Sequence, residues 1–287
     1  MIAITGASGQ LGQFVVQGLL KHTAAANIVA LVRNVTKATA LSELGVTVRQ
    51  ADYNQPDTLA TALHGVEKLL LISSSEVGQR VPQHQAVIHA AKQQGVALLA
   101  YTSVLHADSN PMLLAAEHKA TEQAIHDAGI PAVILRNGWY TENYTQSVAD
   151  HIASGIVMGC AGDGKFYTAS RQDYADAAVA VLLATEPQAG KVYELAGDTG
   201  FTLSEYAAEI SRLTGKGVHY HNVTPAEYAS FLCELGLPGA FAAVLADSEA
   251  QAAIGALADS SKTLSRLLGR ATTPWQHSLQ ARLKIPV

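Results

Sequence analysis

MIAITGASGQLG, residues 1–12, passes from a short apolar run into a glycine turn and on into a helical pattern. Ile2, Ala3 and Ile4 read as a buried parallel strand. Gly6, Gly9 and Gly12 follow at G-x-x-G-x-x-G spacing, and Leu11, Phe14, Val15 and Leu19 lie on one helical face. Strand, glycine turn and helix form the context of a dinucleotide-binding loop. In that reading Gly6 permits the tight turn, Gly9 lets the backbone approach a pyrophosphate, and Gly12 lets the helix pack on the strand. The loop residues Ala7, Ser8, Gln10 and Leu11 complete the cradle, with the helix N-terminus offering N–H groups to phosphate.

The next unit points to the cofactor. A second strand over 28–32 ends in Arg33-Asn34, and no Asp or Glu occurs between Ile28 and Leu41. An acidic residue at this strand tip favours NAD through the ribose hydroxyls. An arginine fork instead matches a 2′-phosphate, so NADPH is preferred over NADH. Asp52, at the end of the third strand, or its neighbour Tyr53 would meet the adenine. A plain turn is equally compatible there.

The alternation continues. Strands are expected over 1–5, 28–32, 46–49, 67–73, 97–102 and 131–136, and helices over 10–22, 36–44, 56–63, 79–94 and 113–128. Runs such as Leu69-Leu70-Leu71-Ile72 are apolar on both faces, as in a sheet covered on both sides. The fold class is α/β, a Rossmann-type doubly wound parallel sheet. Beyond 136 the pattern is less regular: helix over 140–153, a glycine-rich hairpin over 156–169, helix over 171–185 and a core strand over 191–195. Helices follow over 202–214, 225–235 and 238–254. A dinucleotide-binding domain over 1–150 and a smaller, mostly helical substrate lobe over 151–287 result, with 171–200 returning to the core.

Composition narrows the function. The 287 residues carry a formal net charge of −5 and no basic run, which argues against nucleic acid. Two cysteines and eleven scattered histidines form no disulfide framework and no metal-spaced motif. No apolar run reaches membrane-spanning length, and the chain opens directly on a strand without room for a signal peptide, so the expected location is cytoplasmic. A homodimer is common among such folds, although oligomeric state stays open.

TGASGQLG at 5–12, LVRN at 31–34, ADYNQPDTLATALHGVEKLLLIS at 51–73 and LRNGWYTEN at 135–143 resemble the NmrA-like group of atypical short-chain dehydrogenase/reductases. Within that group the chain is most similar to bacterial NAD(P)H:quinone oxidoreductases and triphenylmethane dye reductases. The resemblance spans nearly the whole chain. It implies an NADPH-dependent reductase of quinones and triphenylmethane dyes, with a Rossmann core and a substrate lobe. It also implies that Ser73, Ser74 and Ser75 pass under the nicotinamide ribose. Asn137, Gly138, Trp139, Tyr140, Glu142 and Asn143 would border the nicotinamide.

One familiar element is missing. Carbonyl-reducing short-chain dehydrogenases commonly place Tyr four residues before Lys on one helix, where the ammonium lowers the phenol pKa. None of the ten tyrosines here has Lys at that spacing. The corresponding helix carries His118 and Glu122, spaced as an acid/base pair but equally as a helix-face ion pair or a cofactor-side contact. His118 and Tyr140 are the candidate catalytic residues. A site without the Tyr/Lys pair favours acceptors that need no enzymic proton: a triarylmethyl cation becomes neutral on taking hydride, and a hydroquinone anion takes its proton from water. The acceptor is expected to be a small aromatic molecule, with Trp139, Tyr140, Phe166, Tyr167 and Phe241 as stacking candidates. Two alternatives stand: an NADP(H)-binding redox sensor without turnover, and an isoflavone-type carbonyl reductase or sugar epimerase.

Overall fold

Strands buried on both faces organise the molecule, as their apolar sequences dictate: every residue of the second strand and of the fifth is buried. In the computed structural model, which describes residues 1–285, the first half alternates strand and helix. In chain order it contains β1 (Ile2–Ile4), α1 (Gln10–Leu20), β2 (Ile28–Val32), α2 (Thr39–Glu43), β3 (Thr47–Gln50) and α3 (Pro56–Ala62). It continues with β4 (Lys68–Leu71), α4 (Arg80–Gln93), β5 (Leu98–Val104), α5 (Leu113–Ala128) and β6 (Ala132–Asn137). The later elements are α6 (Glu142–Thr145), α7 (Val148–Ser154), β7 (Ile156–Gly159), α8 (Arg171–Leu183), β8 (Val192–Leu195) and α9 (Leu203–Thr214). Last come β9 (His219–Asn222), α10 (Pro225–Glu234), α11 (Gly239–Ala252), α12 (Thr263–Leu268) and α13 (Trp275–Leu283).

The main sheet has seven strands in the order β3-β2-β1-β4-β5-β6-β8, and the pairings from β3 through β6 are parallel. The chain winds outward from β1 through β2 to β3, then returns to β4 on the other side of β1. The carboxyl ends of β1 and β4 therefore flank the switch point, where open α/β sheets bind ligands. Local bonds pin that point: the Thr5 N–H donates to Leu70 O at 3.0 Å, and the Thr5 hydroxyl accepts the Ile72 N–H at 2.9 Å. Gly18 lets α1 and α8 approach closely, since a methyl there would stand 2.9 Å from Val179 Cγ2.

Two compact units result. The first comprises residues 1–104, 117–137 and 171–193, and the second 105–116, 138–170 and the described residues from 194 onward. The second unit has its own core, in which Tyr144, Phe166, Phe201, Tyr206 and Trp275 pack ring on ring.

The expected hairpin over 156–169 does not form. Gly155, in the left-handed conformation at the end of α7, turns the chain into β7, which pairs in parallel with β9. The later glycines serve packing instead: a methyl on Gly164 would lie 2.7 Å from Ala253 Cα, and one on Gly159 2.7 Å from Leu203 Cδ1. The helix expected over 140–153 is broken into α6 and α7.

Candidate active site

The glycine loop is built as its spacing requires. Gly6 has φ +58°, a left-handed turn that a side chain would strain. A methyl at Gly12 would come within 2.7 Å of Ala7 Cα, so only glycine lets α1 start this close to the loop. Gly9 is the N-cap of α1; no side chain caps that end, and its first turn holds no acidic residue. Ala7, Leu11 and Gly12 are buried against the core, while Gly6, Ser8, Gly9 and Gln10 are exposed. The helix thus presents uncapped N–H groups and a positive dipole end with no competing anion, an arrangement that fits a pyrophosphate.

Beside the loop lies a cavity of about 100 Å³, whose walls include Gly6, Arg33, Tyr53, Ser74, Glu76 and Gln83. Ser73 and Ser75 line it too, so the structure brings the three serines together with Arg33. Arg33 is 68% exposed and pairs through Nη1 with Glu76 Oε1 at 2.7 Å. The other Glu76 oxygen accepts from Gln83 Nε2 at 2.7 Å. Asp52 and Tyr53 share the cavity wall while also building local structure: Asp52 Oδ1 accepts the Asn54 N–H, and the Tyr53 hydroxyl donates to Ile72 O at 3.1 Å.

A buried polar network fixes the serine segment. The Ser74 N–H donates to His84 Nε2 at 2.9 Å, which leaves the His84 proton on Nδ1 to donate to Thr121 Oγ1 at 2.9 Å. The Ser73 N–H donates to Thr102 Oγ1, and Arg80 Nε donates to Ser74 O. Burial, with the Arg80 cation nearby, lowers the His84 pKa to about 4, so the neutral tautomer this network needs is the stable one.

The same network corrects the reading of His118 and Glu122. The two do not pair. His118 is buried, with Nδ1 bonded to the Tyr101 hydroxyl at 2.8 Å. Glu122 instead receives Arg136 Nη2 at 2.7 Å and the Ser103 hydroxyl. Desolvation, then the charge of Arg80, lowers the His118 pKa to about 3. Near neutral pH the His118 ring is therefore neutral and bonded inside the first unit.

At the end of β6, Asn137 is buried and its Oδ1 has no hydrogen-bond partner, an orphaned acceptor that suits a ligand amide. The following segment belongs to the second unit. The Gly138 N–H donates to Leu195 O at 2.7 Å, the Thr141 N–H to Ala169 O, and the Ala169 N–H to Trp139 O. Tyr140 bridges Ala169 through its backbone and is half-buried, and Glu142 opens α6.

The second unit holds a cavity of about 590 Å³, with Trp139, Asn143, Tyr144, Phe166, Tyr228 and Phe241 among its walls. Of the five proposed stacking residues, Trp139, Phe166 and Phe241 line it. Phe166 is wholly buried and is also a core residue, whereas Phe241 is 42% exposed. Tyr140 and Tyr167 are not among its walls; Tyr167 lays its ring against the backbone at Gly200, where a methyl would stand 2.7 Å away. Sequence reasoning missed Tyr144, Tyr228 and Glu249. The signal was present as helical stripes: Tyr228, Phe231 and Leu232 on α10 with Leu235 at its C-terminal cap, and Phe241, Leu245 and Glu249 on α11, all lining the cavity. Among the described residues no His/Cys/Asp/Glu group could hold a metal, and no helix is long and apolar enough to cross a membrane.

Known proteins share this fold. The sequence profile of the NmrA-like family matches residues 1–255. Quinone oxidoreductase 2 of Escherichia coli is 53% identical over 97% of each chain. The crystal structure of an Escherichia coli NADPH-dependent quinone oxidoreductase with NADPH superposes with a TM-score of 0.96, covering 99% of this chain and 100% of that one. Citrobacter triphenylmethane reductase complexed with NADP(H) is 37% identical, with a TM-score of 0.94 over 98% of this chain and 100% of that one.

Proposed function

The chain belongs to the NmrA-like family, and from that premise we propose that it is an NADPH-dependent reductase of electron-poor aromatic acceptors, namely quinones and triphenylmethane dyes. When bound, NADPH supplies a hydride to such an acceptor. The residues present fit the cofactor. The uncapped start of α1, from Gly6 to Gly12, takes the pyrophosphate, and Arg33 takes the 2′-phosphate. Ser73, Ser74 and Ser75 share the Arg33 cavity, so we assign them to the adenosine half rather than to the nicotinamide ribose. Asn137, with its unpartnered acceptor, takes the nicotinamide end.

The observation that carries the acceptor class is the cavity of the second unit. It is large, lined by aromatic rings, and has no Lys or Arg in its walls. Flat acceptors would stack on Trp139 and Phe241. With His118 buried and neutral, no enzymic acid is assigned. Catalysis then rests on alignment, an effect worth roughly 7–11 kcal/mol when reacting atoms are well oriented. The free cysteines, Cys160 buried and Cys233 exposed, suit a reducing cytoplasm.

The test is NADPH oxidation followed by absorbance with a quinone, crystal violet and a simple aliphatic ketone. Turnover with the first two and none with the ketone supports the reading. Tight NADPH binding without turnover by any acceptor would make the protein a redox sensor, and preference for the ketone a carbonyl reductase.

A further inference from the structure

The walls of the acceptor cavity mix aromatic and aliphatic side chains with polar ones, and two wall residues carry carboxyl groups: the exposed Asp150 and the buried Glu249. Glu249 lies on the cavity-facing stripe of α11 and is only 8% exposed. Its Oε2 accepts the Cys160 N–H at 2.8 Å, and the Tyr228 hydroxyl bonds to the same carboxyl group. No Lys or Arg lines the cavity to balance it. The Tyr144 hydroxyl and His151 Nδ1, on two further wall residues, are buried without hydrogen-bond partners. A buried carboxyl group without a cation contributes poorly to stability, because desolvation outweighs what two hydrogen bonds return. A structural acceptor for one N–H needs no charge. An anion beside stacked aromatic rings is, however, the recognition chemistry of a delocalised aromatic cation.

We propose that Glu249 is the charge-selecting residue of the acceptor cavity: its carboxylate stabilises a stacked aromatic cation, and its protonated form favours neutral acceptors. The proposal rests on the reading of this cavity as the acceptor site. The two acceptor types differ in balance as well as charge. A triarylmethyl cation that takes a hydride at its central carbon becomes neutral and needs no proton. A quinone that takes a hydride needs one proton to reach the hydroquinone. Charge matching at Glu249 therefore acts on the first type before the reaction and is lost once the product is neutral, which also eases product release.

Burial sets the titration. It raises the Glu249 carboxyl to about 7, against the opposing pull of the Cys160 N–H and Tyr228. The ionisable groups facing it are Cys160 after β7, Tyr220 on β9, Tyr228 on α10 and Tyr144 on α6. Burial pushes Cys160 and Tyr220 each to about 12 and pushes Tyr228 and Tyr144 upward as well, so none of them ionises near neutrality. Burial moves His151 the other way, below the ordinary imidazole value. Asp150 is an exposed wall residue, and on α11 itself Asp247 Oδ2 accepts the Leu113 N–H.

The test measures crystal violet binding by equilibrium dialysis without cofactor, together with kcat/KM for crystal violet relative to menadione, a neutral quinone. In the wild type, the affinity should rise about tenfold from about pH 6 to about pH 8 as the carboxyl ionises, and the ratio should rise in the same direction by a smaller factor, because the cation is partly neutralised in the transition state. In Glu249→Gln both should be flat with pH, with the affinity about tenfold below wild type at the upper end. A wild-type affinity that does not change over this range overturns the proposal without any variant, as does a Glu249→Gln protein that keeps the wild-type slope. If the wild type turns over neither acceptor, the reductase reading fails, and the dialysis result still decides the role of Glu249.

Discussion

Replacing Arg33 with alanine separates the two nicotinamide cofactors, and the structure sets the size of the effect. In the cofactor-free protein the Arg33 guanidinium is paired with Glu76 at 2.7 Å and is 68% exposed. A charge-assisted bond to a phosphate is worth about 1.5–3 kcal/mol. Exchanging the exposed Glu76 pair for the phosphate subtracts about 0–1 kcal/mol, and solvent screening favours the low end of the range. A net loss of about 0.5–2 kcal/mol remains, or roughly 2–30-fold in Kd for NADPH. NADH, which lacks the phosphate, should change less than about twofold. Glu76→Gln should act in the opposite sense and tighten NADPH several-fold, because it removes an anion that competes for Arg33. Calorimetric titration of both cofactors into both variants reads these values, and added salt should shrink the NADPH effect. An equal loss of NADPH and NADH affinity in Arg33→Ala would refute the assignment.

Glycine and histidine variants probe the rest of the first unit. Gly12→Ala should lower the melting temperature as well as abolish NADPH binding, since its methyl meets backbone at Ala7; overpacking of this kind costs about 1–3 kcal/mol. Gly9→Val should leave a folded protein that no longer binds NADPH, and normal binding would make the loop structural only. His118→Ala should reduce crystal violet turnover by less than about 100-fold, and a loss beyond about 1,000-fold with a large solvent isotope effect would restore it as proton donor. Acid stability supplies an independent reading. His118 is held neutral down to about pH 3, while in the unfolded chain it titrates near 6.5. The unfolded chain therefore binds the extra proton below about pH 6.5, and the stability gained by neutral burial is full above that value and lost as pH falls towards 3. His118→Gln should flatten this fall by up to about 1.4 kcal/mol per pH unit in urea unfolding, and an unchanged slope would refute the assignment.

The first unit was legible because its signals are local. A strand, three glycines and an amphipathic helix are contiguous in 1–20, and Arg33 follows a strand whose five residues are all buried. The second unit depends on contacts distant in sequence. His219–Asn222 has no apolar run, yet it forms β9 because Ile156–Gly159 lies alongside it. The glycines from 155 to 164 suggest a hairpin, but several of them mark close approaches to residues that lie far along the chain, such as Leu203 and Ala253. The acceptor cavity follows the same rule. Trp139 and Phe241 stand out as large rings, whereas Glu249 looks like an ordinary surface acid until its stripe with Phe241 and Leu245 is placed on α11. His118 and Glu122 have the spacing of a pair, but Tyr101 and Arg136, on neighbouring strands, take up their bonding capacity.

Transfer of deuterium from NADPH to the acceptor tests the central claim most directly. The protein is given NADPH carrying deuterium at the reactive nicotinamide carbon, with crystal violet as acceptor, and the leuco dye is analysed by mass spectrometry. Direct transfer from cofactor to acceptor predicts one deuterium at the central carbon of each product molecule. It also predicts retention of that label in ordinary water and no deuterium uptake when unlabelled NADPH is used in D₂O. A product that takes this hydrogen from solvent, or labelled NADPH that stays bound and unreacted with every acceptor, would contradict the account.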